Sequence, residues 1–371
     1  MRNALKNARF ICIAACLVFV AESSTAAPDE GLGISKSCSR HSLPTGVPSD
    51  VPPDPHLVAV TSKSPEASAV LGIIYKIEET GAHPYDAVTP NFDGEGLSLG
   101  VIQFNFGGAA QDAFKAIDVK VFDVTMPKWG GTFHDAILAK PYQKGIELVK
   151  GMQDQVTGTH GKDWVVKPDA LKEIQAFLNT NESRNAQDMA VSDIYAAGYG
   201  RALQWAHARG QTAPTFREIV TFVDNQVFSG GALGGMWYPQ AVAFRKSFVD
   251  DGHMIRFISD WVASCPGSGD GFLWGAAEGK ADAAAWTKAF PDGTTLSDEQ
   301  GLLLALGFLK ALSAIGPLGN PSQSGIFKAQ VIERRGMIAL GVGTANGVPW
   351  PSAHSPTERA KTSHASTKQG T

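Results

Sequence analysis

The acidic pair Glu78-Glu79 stands directly before Thr80-Gly81, and Asp93 follows Glu79 by 14 residues among Gly94, Gly96 and Gly100. A carboxyl at the C-terminal end of a helix meets the negative end of the helix dipole, and an apolar neighbourhood adds a desolvation cost, so such a group tends to keep its proton. Asp93 has the opposite surroundings, because bare backbone N–H groups of glycines and water favour an ionised carboxylate. Two carboxyls in such different environments suit scission of a glycosidic bond: one protonates the leaving oxygen and the other activates water. At 100° per residue Glu78 falls near the Leu71/Ile74 stripe and Glu79 nearer Tyr75, so periodicity alone buries Glu78. Glu95 is a third acid able to replace Asp93.

Two rival chemistries share this region. Gly96-Leu97-Ser98-Leu99-Gly100 has the G-x-S-x-G form of a serine-hydrolase nucleophile elbow, which needs an apolar strand before the Ser and a helix after it. Here a polar glycine-rich loop precedes and the strand-like VIQFNF follows. The nine His are scattered, with no H-E-x-x-H pattern, so neither a metal site nor a cofactor is expected.

The stretch from Ile77 to Gly107 resembles the active-site segment of the lysozyme-like superfamily, in which a helix-terminal Glu precedes a small hairpin carrying a second acid and a hydroxyl. Asp93-Gly94-Glu95-Gly96-Leu97-Ser98-Leu99-Gly100-Val101-Ile102 is similar to the Asp-Gly-x-Gly-x-(Ser/Thr)-x-Gly-Ile-Ile of family-46 chitosanases. Ile77-Glu78-Glu79 looks like the sparser pattern of phage-type lysozymes. The resemblance implies Glu79 as general acid, with Glu78 in reserve, and Asp93 as base. It implies Ser98 as the hydroxyl that helps hold the attacking water, and Gln103 and Asn105 as sugar-binding amides. Asp224 or Gln226, within Phe222–Val227, would line the cleft floor. The implied substrate is an amino-sugar polymer with β-1,4 bonds, peptidoglycan first and chitosan second. Inversion is expected if the carboxyls stand about 6.5–9.5 Å apart. The competing reading from another class is a glycan-binding protein that keeps this fold without catalysis.

The elements that must position these groups are mainly helical. Ser64-Pro65-Glu66 opens a helix whose apolar residues Val70, Leu71, Ile74 and Ile77 share a face, and Gly81 ends it. Further helices are expected over 168–180, 186–209, 215–229, 239–262, 297–315 and 323–341. Gly301 to Gly316 is apolar nearly all round yet too short to span a bilayer, which predicts a buried central helix. Residues 92–106 alone break the helical pattern and predict a β-hairpin or small sheet, alternating through Val101–Asn105. The fold class is therefore α+β, mainly α, a lysozyme-like helical domain with a small sheet at the cleft. Trp129, Trp205, Trp237, Tyr238 and Trp274 are either sugar-stacking rings or core.

Composition sets the outer limits. The 371 residues are 43% hydrophobic and 18% charged, with eight Trp and 19 Phe, which excludes a disordered chain. A net charge of −4 gives no footprint for nucleic acid. Arg2, Lys6 and Arg9, the apolar run Phe10–Ala21 and Thr25-Ala26-Ala27 have the layout of a signal peptide, predicting a secreted or periplasmic protein cut after residue 27. Ile13-Ala14-Ala15-Cys16 offers a lipobox as the alternative. Without Arg2, Lys6, Arg9 and Glu22 the chain keeps 29 basic and 35 acidic residues, a net −6. Cys38 and Cys265 remain, either as one disulfide or as two separate buried thiols. Residues 28–56 read as a Pro-rich arm, 57–350 as one catalytic body, and 351–371 as a disordered tail.

Overall fold

Ser64 caps the first helix, its hydroxyl accepting from the Ala67 N–H at 3.0 Å, with Pro65 in the first turn and Glu66 at the positive end. The computed structural model describes residues 38, 64–78, 84–91, 94–158, 161–229, 238–265, 274–314 and 324–350. The expected leader, the arm apart from Cys38 and the C-terminal tail lie outside these residues. Helix α1 (Pro65–Ile77) buries Ala67, Val70, Leu71, Ile73, Ile74 and Ile77, and Glu78 is its C-cap, donating its N–H to the Ile74 carbonyl.

After a 3-10 turn at Pro84–Asp86 comes a three-stranded antiparallel sheet of β1 (Val88–Thr89), β2 (Ser98–Leu99) and β3 (Phe104–Asn105). Its register pairs Thr89 with Ser98 and Ser98 with Asn105, while Val88, Leu99 and Phe104 align on the other face. The expected alternation through Val101–Asn105 does not form one strand. Gly100 has φ 69°, Gln103 has φ 57°, and the Gln103 N–H closes a turn on the Gly100 carbonyl at 3.2 Å, so only Phe104 and Asn105 extend.

Four short helices follow, α2 (Ala109–Phe114), α3 (Val119–Thr125), α4 (Gly130–Leu138) and α5 (Tyr142–Lys150), then a hairpin of β4 (Gln153–Gly158) and β5 (Gly161–Val166). Helix α6 (Pro168–Leu178) closes this half over a phenylalanine cluster: Phe122 stacks on Phe177 at 4.5 Å, and Phe114 and Phe133 meet Phe177 edge-on. The long α7 (Asn181–Ala208) then lies against α8 (Phe216–Ser229). Gly198 permits that contact, since a Cβ there would stand 2.7 Å from the Val223 Cα.

The single helix expected over 239–262 is two, α9 (Tyr238–Lys246) and α10 (Asp251–Ser264). Asp250 divides them because its side chain accepts from the His253 N–H at 2.9 Å, as an N-cap does. Helix α11 (Trp274–Ala289) precedes α12 (Asp298–Ser313), in which every residue from Gly301 to Leu312 is buried, as a central helix requires. Helix α13 (Ser324–Leu340) packs on α12, α11 and α8, and a last hairpin joins β6 (Thr344–Ala345) to β7 (Val348–Pro349). Thus the sheet is not the sole departure from helix; β4–β5 and β6–β7 are two more. Mainly helical with small antiparallel sheets is the observed class, and among the described residues no helix is long and apolar enough to cross a membrane.

Cys38 and Cys265 form a disulfide across 227 residues of sequence. The Cys38 N–H also donates to the Ser264 hydroxyl at 2.8 Å, so the bridge is seated at the end of α10. Cys265→Ser is expected to lower stability by about 2–5 kcal/mol, mainly through a less restricted unfolded chain. Denaturant melts measure the loss, and in the chain from Pro28 onward labelling of two thiols only after reduction and unfolding verifies the bridge.

Candidate active site

Helix α1 delivers Glu78 to a buried set of charges contributed by α8 and α13. Arg334 Nη2 lies 2.5 Å from Glu78 Oε1 and 2.5 Å from Asp224 Oδ1, and Arg334 Nε donates to the same Asp224 oxygen at 3.0 Å. Arg335 approaches the other Asp224 oxygen at 3.7 Å and donates to Asn225 Oδ1 at 3.0 Å. Asp224 is fully buried, Arg334 nearly so, and the Glu78 side chain is 13% exposed, so Glu78 alone of these acids reaches the surface. Two carboxylates and two guanidiniums balance in charge, which is what permits their burial.

The environment works on the two arginines differently. Burial lowers the Arg334 pKa, but the neighbouring Asp224 and Glu78 carboxylates more than offset it and the net shift is upward. For Arg335 burial wins and the pKa is pushed down to about 10, still on the cationic side of neutrality. Both guanidiniums also stand over the Phe228 ring, at 4.6 and 5.7 Å from its centroid.

The loop that leads into the sheet is pinned from both flanks. Asn91 Oδ1 accepts from the N–H groups of Gly94 and Gly96 at 2.8 and 3.2 Å, and the Asn91 N–H donates to Gln153 Oε1 at 2.7 Å. Asn105 Nδ2 donates to Glu95 Oε2 at 2.5 Å, and Asn105 Oδ1 accepts from the Gly107 N–H at 3.2 Å. From α7 the buried Gln187 fixes the turn after β2, accepting from the Val101 N–H at 3.1 Å and donating to the Tyr85 carbonyl at 3.2 Å.

The expected site residues fare differently from one another. Glu79 and Asp93 lie outside the described residues, as does Trp237. Ser98 is buried in the central strand, on the face it shares with Thr89 and Asn105. It sits within β2 and not at a strand–helix turn, so the G-x-S-x-G sequence does not build a nucleophile elbow. Gln103 spends its amide on the Gly100 carbonyl at 3.3 Å, and Asn105 spends its own on Glu95. Asp224, expected on the cleft floor, has no exposed surface and holds Arg334 from behind instead. Gln226 is half-buried beside it on α8. Trp205 is fully buried against Phe222 and Tyr238, hence core, while Trp129 is half-buried with its indole N–H on Asp169 at 3.2 Å.

Arg334 and Arg335 escaped the sequence reading, together with a second set of acids beside them. Glu278 and Asp282 stand one turn apart on α11, and Glu333 of α13 hydrogen-bonds to Glu278. Burial, then repulsion from Glu278 and Asp282, pushes Glu333 up to about 10, so it is a neutral acid near pH 7. Burial chiefly, and Glu278 besides, pushes Asp282 up to about 7, against two hydrogen bonds from the Thr344 N–H. The available signal was Glu333-Arg334-Arg335 in the otherwise apolar run from Val331 to Leu340. Three consecutive charges cannot all leave the core on one helix, so some must be paired inside. Comparison with protein-family models, with curated proteins and with solved structures gives no match.

Proposed function

We propose that this protein is an exported, lysozyme-like glycoside hydrolase that cuts β-1,4 bonds of an amino-sugar polymer by general acid–base catalysis. Peptidoglycan is the first substrate and chitosan the second. The observation that carries this reading is the Glu78–Arg334–Asp224 chain, which fixes an acidic helix end immediately before a small glycine-turned sheet. The ion pair with Arg334 suits Glu78 as the anchor of this helix end and leaves the adjacent Glu79 to carry the proton to the leaving oxygen. Asp93 activates water on the opposite face of the sugar, with the Ser98 hydroxyl helping to orient it. Asp224 acts through Arg334 and never touches sugar; Gln226, Gln103 and Asn105 shape the cleft wall.

The test uses the chain from Pro28 onward with Glu78→Gln, Glu79→Gln and Asp93→Asn variants, on purified cell walls and on chitosan. Release of reducing ends is expected from the parent protein, with a loss of at least about a hundredfold in Glu79→Gln. Retained activity in Glu79→Gln but not in Glu78→Gln would exchange their roles. Unchanged activity in all three variants sinks the mechanism, and saturable binding without product marks a glycan-binding protein.

A further inference from the structure

The β6–β7 hairpin reaches from α13 back to the end of α1. Its register pairs Ala345 with Val348, leaving Asn346-Gly347 as a two-residue turn. Both turn residues have positive φ, 49° and 73°, the pattern that Asn-Gly adopts with least strain. Asn346 is therefore placed where its side chain is free to serve something outside the hairpin. Its Nδ2 donates to the Ile77 carbonyl at 2.7 Å. Ile77 is the last residue of α1 and Glu78 follows it. Carbonyls in this last turn lack an intrahelical donor, so Asn346 supplies one from 269 residues away.

The hairpin is itself anchored. Glu278 Oε1 accepts from the Gly347 N–H at 2.7 Å and from the Thr344 hydroxyl at 2.5 Å. Both Asp282 oxygens accept from the Thr344 N–H, at 3.1 and 2.9 Å. Gly343, at φ 103°, leaves no room for a side chain, because a Cβ would lie 2.4 Å from Asp282 Oδ2. The end of α1 is thus gripped twice by one continuous segment: Arg334 takes the Glu78 carboxylate, and Asn346, twelve residues later, takes the backbone just before it.

We infer that Asn346 is a positioning residue for the acidic end of α1, and that the β6–β7 hairpin is a strut transmitting the placement of α11 to that end. The inference rests on the reading of Glu78-Glu79 as the acid site. An unclamped last turn frays, and a reacting carboxyl displaced by about an ångström loses on the order of a hundredfold in rate. On the proposed reading, substrate is bound mainly by residues beyond that turn, so the loss falls on kcat.

The test is Asn346→Gly, which keeps the positive-φ turn and removes only the donor, beside Asn346→Asp, which keeps the shape and presents an acceptor to the Ile77 carbonyl. Expected results are a kcat lower by roughly ten- to a hundredfold with KM within about twofold. Amide exchange at Lys76, Ile77 and Glu78 is expected to quicken about tenfold, with the rest of the body unchanged. Wild-type kcat together with unchanged exchange overturns the inference, and so does global unfolding of both variants, which would make Asn346 a residue of the fold only. Glu78→Gln and Glu79→Gln are assayed alongside. If neither loses activity the functional reading fails, whereas the exchange of the last turn still decides whether Asn346 holds it.

Discussion

Arg334→Met is expected to lower stability by about 3–5 kcal/mol and, on the proposed glycosidase reading, to abolish the release of reducing ends with it. Arg334 is the cation common to Asp224 and Glu78, donating twice to Asp224 Oδ1 and once to Glu78 Oε1. Without it the fully buried Asp224 carboxylate keeps, among the described residues, only Arg335, at 3.7 Å from its other oxygen, and loses the Nε and Nη2 donors of Arg334. Lysine is no remedy, because a single ammonium point charge cannot reproduce donors from Nε and Nη2 at once. The double variant Arg334→Met with Asp224→Leu removes the buried carboxylate left short of donors but also takes Asp224 from Arg335, so only part of the stability should return. It should not recover the proposed activity, because Arg334 no longer holds Glu78 in place. Urea melts and a reducing-end assay on the three proteins separate the two roles. A loss under about 1 kcal/mol in the single variant would show that the ion pairs do not bear on the fold.

This arrangement explains what a reader of the sequence can and cannot find. Helix α1 was legible from Ser64-Pro65-Glu66 and its apolar spacing, because capping and periodicity are local. The small sheet was legible from its glycines, although the turn at Gly100–Gln103 took residues that alternation had assigned to a strand. Helices α2 to α5 were missed, since segments of six to nine residues contain too few turns for a period to stand out. The partners of Glu78 were beyond reach for another reason. Arg334 lies 256 residues from Glu78 and 110 from Asp224, and no spacing rule joins groups that only the tertiary fold brings together. The Cys38–Cys265 pairing was open for the same reason. Periodicity did place Glu78 on the buried face, and it is mostly enclosed there.

Glu333→Gln is expected to stabilise the protein at neutral and alkaline pH and to leave it unchanged in acid. The sign follows from where the proton resides. Burial and the neighbouring Glu278 and Asp282 carry the Glu333 pKa from its ordinary 4.5 to about 10, so between those values the folded chain keeps a proton that the unfolded chain has released. Stability then falls with rising pH, by about 1.4 kcal/mol per pH unit for one group. The contribution is undiminished below the unfolded pKa and is lost progressively as pH climbs toward the folded one. At pH 7 the accumulated cost is about 3 kcal/mol. Glutamine has the same shape, cannot ionise and still donates to Glu278, so the variant should lack this slope. Asp282, pushed up to about 7, adds a second slope of the same sign that ends near neutrality, and it persists in the variant. Urea melts of both proteins at about pH 5 and about pH 8 should therefore diverge with pH, the variant standing higher at the alkaline end. Parallel curves would mean that Glu333 is ionised in the folded protein. Its charge would then be shared with Arg334, and the buried acids beside α13 would form one network with Glu78 and Asp224 in place of two.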